Sequence, residues 1–500
     1  MSRFTQRIIN YNDYIILFVL NAAEMVLELA ASRIMSPFFG NSNFVWTAII
    51  GIILFAGSLG NLIGGRISSL KSSRGVAALL LLFASIYIAL IPLMNESVLQ
   101  GIEDGNMGIQ FSSVMGSIVL FLIPSTLLGT ITPIIMKERI GDGKDKGRES
   151  GRITAFIALG SLVGTFLGGF FLIPSIGTKG IFVLLSFVVM IFVPLMRPLK
   201  NIDNKKFRLF FVSVFLITII VSVISLICVN NGNNDEQISI DTEYGRVIIE
   251  DTVSRDGKIR YYKQSGAYSS ATYLDPKKKY DLVFEYLKRY DDMFDYTDVK
   301  DVAMIGGAAY QYPKYFISHY PDKTMDVIEI DPMSTEIAKK YFFLDDLIKD
   351  YGEERLGLYN EDGRVFLANT DKKYDVILND AFSGEVPVGT LATKEAAQII
   401  KSALNPDGVY MSNVLGAVSG IKSKFLKAEV KTMKKVFKNV YVIPVYKNAM
   451  PDKYINWMVV ATDNSSYKPE KVMELNMSNA IVLTDDYNPI DELVSTGYHD

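Results

Sequence analysis

Seven apolar stretches between the N-terminus and Val229 constrain the fold of this chain more than any other feature of its sequence. Most approach or exceed the ~20 residues that an α-helix needs to cross the hydrocarbon core of a bilayer. They lie near 14–34, 44–64, 76–94, 112–136, 153–173, 181–196 and 207–229. The first is too long for a cleavable signal peptide and contains two glutamates. The sequence therefore predicts a multi-span α-helical membrane domain embedded in a lipid bilayer.

The charges of the short connecting loops predict how these helices are oriented. Basic residues precede the first stretch and follow the second, fourth and sixth, whereas the loop after the third carries acidic residues and no basic one. Because Lys and Arg in short loops stay on the cytoplasmic side, we expect a multi-pass protein of the cell membrane with a cytoplasmic N-terminus. Seven spans would place residues 230–500 outside. The sixth stretch is the shortest of the seven, and if it were re-entrant it would reverse that side, so the sequence leaves it open.

Two glutamates, Glu24 and Glu28, lie on one face of the first predicted span, one helical turn apart. A carboxylate in hydrocarbon costs about 2.5 kcal/mol or more, so it normally faces a partner or a water-filled cavity. One interpretation is a path for a cation or a polyamine. The other is a buried ion pair with Arg33 or Arg66.

The second half of the chain differs physically from the first. Residues 1–229 contain 18 basic and 11 acidic residues, whereas the remainder contains 33 basic and 43 acidic residues. An asparagine-rich polar run follows the last apolar stretch, and residues 238–263 then alternate apolar and polar around a predicted hairpin turn at Asp256-Gly257. We therefore predict a linker with a small β-hairpin unit over 230–280 and a further domain over 281–500.

That further domain alternates short apolar runs with helical patterns. The predicted strands are 301–306, 325–331, 356–362, 374–380 and 408–414, and the predicted helices are 310–319, 334–341 and 394–404. This alternation is typical of an α/β doubly wound, Rossmann-like parallel sheet.

Small or acidic residues end four consecutive predicted strands. Gly306 and Gly307 end the first, where a backbone without side chains can approach a ligand closely. Glu329 ends the second, at the position from which a carboxylate can accept both ribose hydroxyls. Asp362 and Asp380 end the next two strands. Each acid alone is typical of a helix cap, but together at the carboxyl edge of one sheet they favour a nucleoside-binding crevice.

Four motifs in this region resemble the core motifs of the spermidine synthase (polyamine aminopropyltransferase) family. They read VAMIGGAAY, DVIEIDP, NEDGRVFL and YDVILNDAFSG. The first half resembles membrane-bound, transporter-fused spermidine synthase-like proteins through LELAASR (27–33) and GGR (64–66), as does the C-terminal LTDDYNPID (483–491). The resemblance implies a methyltransferase-type fold. It also implies a decarboxylated S-adenosylmethionine or related S-adenosyl donor, and a small amine or polyamine as acceptor.

The resemblance also implies roles for individual residues. Asp380 would be the catalytic acid or base, because a carboxylate there can take the proton of an attacking amine. The nucleoside would be held by Gly306, Gly307, Glu329, Asp362 and Gly363, with Glu329 at the ribose and Asp362 and Gly363 at the adenine. We expect no metal, since one cysteine and two histidines are too few for a thiolate or imidazole site.

Two departures from the family pattern affect the predicted amine site. The family's strand-one loop usually reads GGGDGG, and Ala309 stands where its aspartate helps to bind the amine-bearing tail. Ser383 stands where a second acid usually follows the catalytic one. The candidates for amine binding are therefore Ser383, Glu385, Asp485 and Asp486.

Three functions remain open from the sequence. The first is a membrane-anchored aminopropyltransferase with altered amine recognition. The second is a different transferase or a nucleoside- or polyamine-sensing pseudoenzyme, and the third is a transporter whose second half regulates it. We expect no nucleic-acid partner, and a homodimer through the second half.

Overall fold

The computed structural model describes residues 3–40, 42–70, 72–105, 107–140, 145–196, 205–231, 237–295, 298–383, 386–446, 449–466 and 468–495. The chain divides into two units, Met1–Asp235 and Glu236–Asp500.

The first unit consists of helices and the short connections between them where the structure describes it. Its helices are α1 (Arg3–Phe39), α2 (Asn43–Ile67), α3 (Ser73–Glu103), α4 (Ile109–Ser117), α5 (Ile123–Gly129), α6 (Ile131–Ile140), α7 (Lys146–Phe166), α8 (Ile173–Phe192) and α9 (Lys205–Asn231). Helices α4, α5 and α6 follow one another as a single long span, with a π-helical turn at Ile118–Leu122. Within the described residues, seven helical stretches of 22 to 32 residues are long and apolar enough to cross a membrane, as predicted.

The sixth stretch is longer than the sequence suggested. It covers Ser175–Met196, 22 residues in all, because the helix begins before the apolar run and continues into a 3₁₀ turn at Val193–Met196. The chain bends at Gly177, whose φ of 69° is accessible to glycine at little cost. The predicted boundary at residue 181 was therefore wrong.

Glycines bring two of these helices into backbone contact. Side chains at Gly160 and Gly164 on α7 would collide with the backbone of Phe18 and Ala22 on α1. Small residues allow this close approach and the dispersion contacts that come with it.

The second unit begins with a four-stranded antiparallel sheet. Its strands are β1 (Gln237–Asp241), β2 (Arg246–Ser254), β3 (Gly257–Gln264) and β4 (Ala267–Tyr273), paired in that order. Gly257, with φ of 122°, is the first residue of β3, so the predicted hairpin turn lies one position earlier, at Arg255-Asp256. Buried residues of β2 and β3 pack against Ile337 and Phe342 of the following domain.

Seven strands then form one twisted sheet. They are β5 (Asp301–Ile305), β6 (Thr324–Ile328), β7 (Leu356–Tyr359), β8 (Tyr374–Asn379), β11 (Leu404–Gly416), β12 (Asn439–Pro444) and β13 (Ile455–Thr462), with the short hairpin β9 (Phe382–Ser383) and β10 (Val386–Pro387) between β8 and β11. Their order is β12-β13-β11-β8-β5-β6-β7, and β13 is antiparallel to both neighbours. The predicted α/β doubly wound, Rossmann-like, methyltransferase-type fold is confirmed.

Helices cover both faces of this sheet. They are α10 (Gln311–His319), α11 (Pro332–Tyr341), α12 (Leu344–Tyr351), α13 (Gly363–Asn369), α14 (Lys394–Ala403), α15 (Lys424–Met433) and α16 (Ile490–Ser495), with a 3₁₀ helix at Glu285–Asp295. Because β5, β6, β7, β8 and β11 run parallel, their carboxyl ends meet at one edge, where loops are free to form a site.

Candidate functional site

The turn after β5 lies at the carboxyl edge of the sheet and leaves no room for a side chain at Gly306. Gly306 has φ of 91°, and a Cβ on it would lie 2.7 Å from the carbonyl oxygen of Asp380. Its N–H donates to Ile328 O, and Asp380 N–H donates to Ile305 O. Only glycine fits here without strain or collision. The turn and Asp380 are therefore held in direct contact.

Glu329 fixes the same turn from the neighbouring strand. Its Oε2 accepts hydrogen bonds from the N–H groups of Gly307 and Ala308, at 2.8 and 2.9 Å, and its Oε1 accepts one from Asp331 at 3.0 Å. The side chain is only 8% exposed. Burial raises the pKa of this carboxyl, and the three backbone donors offset part of the rise. Glu329 therefore stabilises the turn, and a carboxylate with about four lone-pair sites keeps capacity for a ligand hydroxyl.

Asp362 and Gly363 lie at the start of α13. Asp362 is the N-cap, since its Oδ1 accepts from Arg364 N and Val365 N at 2.8 and 3.0 Å. Gly363 packs directly on Ile305 of β5, where a side chain would collide. The capping role predicted for a lone acid is thus present at Asp362, whose second carboxylate oxygen does not take part in the cap.

Tyr244 lies in the connection between β1 and β2, and several acidic side chains act on its hydroxyl. Partial burial and the negative charges of Glu243, Asp331, Asp362 and Glu329 raise the pKa of its hydroxyl. The side chain is 41% exposed. Glu329 and Asp362 therefore both lie close enough to Tyr244 for their charges to act on its hydroxyl.

Asp380 follows β8 and is held by two donors. Asn413 Nδ2, on β11, donates to its Oδ1 at 2.8 Å, and Tyr286 Oη, on the 3₁₀ helix, donates to its Oδ2 at 2.9 Å. Asn456 on β13 in turn donates to Asn413 at 2.9 Å. Burial raises the pKa of the Asp380 carboxyl, while the hydrogen bonds from Asn413 and Tyr286 lower it. The result is an oriented carboxylate that holds a proton more readily than an exposed aspartate.

Tyr290 completes the surroundings of Asp380. It is fully buried on the same 3₁₀ helix as Tyr286, and burial together with the charge of Asp380 raises its pKa well above the ordinary value. Burial therefore favours the neutral, hydrogen-bond-donating form of both tyrosines.

The amine-binding candidates occupy different positions. Asp485 forms a bidentate ion pair with Arg364 of α13, at 2.8 and 2.6 Å, and accepts a bond from Thr393. Asp486 is exposed and has no hydrogen bond or ion pair with the described residues. The backbone of Ser383 lies in β9, whereas Glu385 lies outside the described residues.

Three residues near the predicted acids were not found from the sequence: Tyr244, Tyr286 and Asn413. Tyr286 lies in an aromatic-rich segment, YDLVFEYLKRY, and such a run before the first strand of the sheet was a usable signal. Asn413 was visible as a polar residue interrupting the apolar run GVYMSNV. Nothing in the local sequence around Tyr244 marks it, because its position depends on how the small sheet packs.

Residues 282–469 match the spermine/spermidine synthase domain family. A polyamine aminopropyltransferase of Vibrio vulnificus is 30% identical over 143 residues, which cover 28% of this chain and 44% of that protein. "Polyamine aminopropyltransferase 2" of Aquifex aeolicus is 22% identical over 453 residues, which cover 86% of this chain and 84% of that protein. A solved structure, a probable spermidine synthase from Corynebacterium glutamicum, has 22% identity and a TM-score of 0.40, covering 47% of this chain and 82% of that one.

The chain spans 43% to 65% of the length of the first three curated relatives it matches. The family match coincides with the part of the second unit that contains the sheet, the Gly306 turn and Asp380. Residues 282–469 are therefore similar to the spermine/spermidine synthase domain family.

Proposed function

We propose that the second unit transfers an aminopropyl group from a decarboxylated S-adenosylmethionine-type donor to an amine. One observation carries this proposal: the Asp380 carboxylate, oriented by Asn413 and Tyr286, lies in contact with the Gly306 turn at the carboxyl edge of the sheet. That is where a parallel sheet places its ligand, so an acid–base group lies beside the expected binding crevice.

The chemistry needs a proton acceptor in this position. The amine nitrogen attacks the carbon next to the sulfonium, the carbon–sulfur bond breaks, and a methylthioadenosine-type thioether leaves. The attacking nitrogen loses a proton, which Asp380 accepts. A carboxylate whose pKa is raised by burial accepts a proton at neutral pH more readily than an exposed one, and positioned acid–base groups contribute about 10²–10⁴-fold to rate.

The crevice residues suit the nucleoside part of such a donor. The backbone at Gly306 and Gly307 is free of side chains, Glu329 keeps acceptor capacity for ribose hydroxyls, and the second oxygen of Asp362 is available to an amino group. A sulfonium cation is also attracted by the charges that gather around Tyr244.

A second candidate function is nucleoside or polyamine sensing without transfer. Ala309 is completely buried and packs with Tyr262, Ile337 and Phe342, so the position where the family has an amine-binding aspartate faces the protein core. This observation favours a site that retains the crevice and recognises its amine by other groups or not at all.

The assay that separates these functions uses the full-length protein in detergent, with decarboxylated S-adenosylmethionine and putrescine, and measures release of methylthioadenosine. We expect turnover in the wild type and a loss of about 100-fold or more in Asp380→Asn, because the amide keeps the shape and cannot accept the proton. Glu336→Gln, an exposed acid-to-amide change on α11, is the matched control. Donor binding without turnover in the wild type would contradict transfer and support sensing.

We further propose that the first unit anchors the protein in a membrane with a cytoplasmic N-terminus. Seven helices of sufficient length and apolarity support this, as does the alignment with the Aquifex protein, which takes in more of the chain than the second unit contains. A phosphatase or fluorescent reporter fused after Asp500 tests the side of the second unit. Phosphatase activity without fluorescence places it outside, and the reverse places it inside.

A further inference from the structure

A small cavity lies inside the helical unit, between α1 and the junction of α5 and α6. Its volume is about 10 Å³, which is close to the minimum that holds one water molecule. Four apolar side chains form part of its wall, those of Leu17, Leu20, Leu128 and Ile131. Its polar side chains are those of Asn21, Glu24 and Thr132. A carboxylate therefore faces a space of the size of a single water molecule or small ion.

Glu24 has no partner in the described part of the chain. Neither it nor Glu28 forms an ion pair or a hydrogen bond with any described residue, and the predicted pair with Arg66 is absent, since Arg66 is exposed. The buried ion-pair hypothesis for these glutamates is thus not what the structure shows. On its other side the carboxylate lies against Gly57 of α2, where a Cβ would be 3.8 Å from Oε1.

An unpaired carboxylate in this environment requires neutralisation. A carboxylate in apolar surroundings normally faces a partner or a water-filled cavity, and none of the described residues forms an ion pair with Glu24. Helix α2 approaches α5 so closely at Gly60 that a side chain there would collide with the backbone of Thr126 and Gly129. The cavity is a space from which a counter-ion can reach Glu24.

The donor atoms around the cavity are oxygens. Asn21 uses its Nδ2 in a bond of 2.8 Å to Leu17 O, which leaves Oδ1 as its acceptor, and Thr132 contributes a hydroxyl. Oxygen donors are those that hard cations and ammonium groups prefer. The cavity wall carries one carboxylate, that of Glu24, and this charge is balanced by a single positive charge rather than by a multivalent metal.

We propose that Glu24 is the centre of a binding site for one small monovalent cation, either an alkali-metal ion or the terminal ammonium group of an amine. Asn21 and Thr132 provide neutral oxygen ligands. Glu28, one turn further along α1, adds a second negative charge that increases the attraction. The site belongs to the helical unit and does not depend on the proposed transfer reaction.

Carbodiimide labelling of the full-length protein in detergent tests this site. Dicyclohexylcarbodiimide modifies carboxyl groups in apolar surroundings, and a bound cation protects them. The modified peptide is identified by mass, so the wild-type protein alone locates the reaction. Labelling is measured at one ionic strength in sodium, potassium, methylammonium or choline chloride. Choline is the control, because it is too large for the cavity.

We expect labelling at Glu24 that sodium, potassium or methylammonium slows and choline does not. At about ten times Kd, roughly nine-tenths of the sites are occupied, and labelling should slow about tenfold. Protection by an alkali ion alone identifies a metal-ion site, and protection by methylammonium alone identifies an amine site. Thr132→Val should raise the concentration needed for protection, whereas Glu103→Gln, at the exposed end of α3, should not. Absence of labelling at Glu24, equal labelling in all four salts, or equal protection by choline would overturn the proposal.

Discussion

Replacing Glu329 by glutamine tests whether one buried carboxylate holds the Gly306 turn. The carboxylate accepts three backbone hydrogen bonds, from Gly307, Ala308 and Asp331. A glutamine amide has one acceptor oxygen, so its NH₂ must face either one or two of those donors. The better orientation keeps the Gly307 and Ala308 bonds and leaves Asp331 N–H unpaired in a buried position.

The magnitude follows from the number of bonds. A hydrogen bond to a charged group contributes about 1.5–3 kcal/mol and a neutral one about 1 kcal/mol. One bond is lost and two become neutral, while the cost of burying a charge is relieved. We expect Glu329→Gln to lower the free energy of unfolding of the second unit by about 2–4 kcal/mol. Nucleoside affinity should fall at least tenfold, because about 1.4 kcal/mol is a factor of ten.

Both quantities are measurable in the full-length protein. Urea unfolding of the second unit can be followed by the fluorescence of the buried Trp457 in a Trp46→Phe background, and binding of methylthioadenosine by calorimetry. Glu336→Gln is the control, since that residue is 63% exposed in its side chain and pairs only with Lys339 among the described residues. A Glu329→Gln protein as stable as this control would refute the role of Glu329 in the turn. Lost stability with unchanged affinity would show that the nucleoside does not contact this turn.

Three further predictions concern single residues of the second unit. Gly306→Ala should abolish nucleoside binding and lower stability by more than about 1 kcal/mol, because alanine is strained at φ of 91° and collides with Asp380; calorimetry and urea unfolding check both. Burial raises the pKa of Glu429 to about 7. Its contribution to the free energy of unfolding is therefore full below pH 4.5 and falls by up to about 3 kcal/mol as the pH rises to 7. The free energies of unfolding of wild type and Glu429→Gln, plotted against pH, should therefore diverge over that range. Parallel plots would contradict this prediction. Burial lowers the pKa of Lys314 to about 7, so the unfolded state binds more protons between pH 7 and 10.5. Wild-type stability should rise with pH there by up to about 5 kcal/mol relative to Lys314→Met, as urea unfolding across that range will measure.

The parallel part of the sheet could be predicted closely from the sequence. The run DVAMIG, predicted at 301–306, forms β5 at Asp301–Ile305, and the other predicted strands differ from the structure by a few positions. Buried parallel strands are continuous apolar runs between helices, so the signal is strong. The two antiparallel strands β12 and β13 were not predicted, although NVYVIP and INWMVVAT are apolar. After α15 the alternation of strand and helix stops, and only the pairing of β13 with β11 and of β12 with β13 reveals them.

The proximity of the acidic residues could be predicted from the order of the strands, whereas the residues that hydrogen-bond to them could not. Parallel strands must deliver Glu329, Asp362 and Asp380 to one edge, so their proximity was predictable. That Tyr286 and Asn413 orient Asp380 depends on how a 3₁₀ helix and a central strand pack around β8. Such contacts join residues 94 and 33 positions apart, and local patterns do not specify them.

The length of the sixth apolar stretch bears on which side of the membrane the second unit would lie. A stretch limited to 181–196 could be interpreted as re-entrant, and that interpretation restored a cytoplasmic second half. From residue 178, after the bend at Gly177, to Met196 the stretch has 19 residues, which at 1.5 Å each span about 28 Å, close to a hydrocarbon core of about 30 Å. Together with the basic loops after the second, fourth and sixth stretches, this length supports our proposal of a membrane anchor and favours a second unit on the side opposite the N-terminus. If aminopropyl transfer occurs on that side, the S-adenosyl donor must be available there. A reporter after Asp500 together with the Asp380→Asn assay therefore decides topology and chemistry jointly.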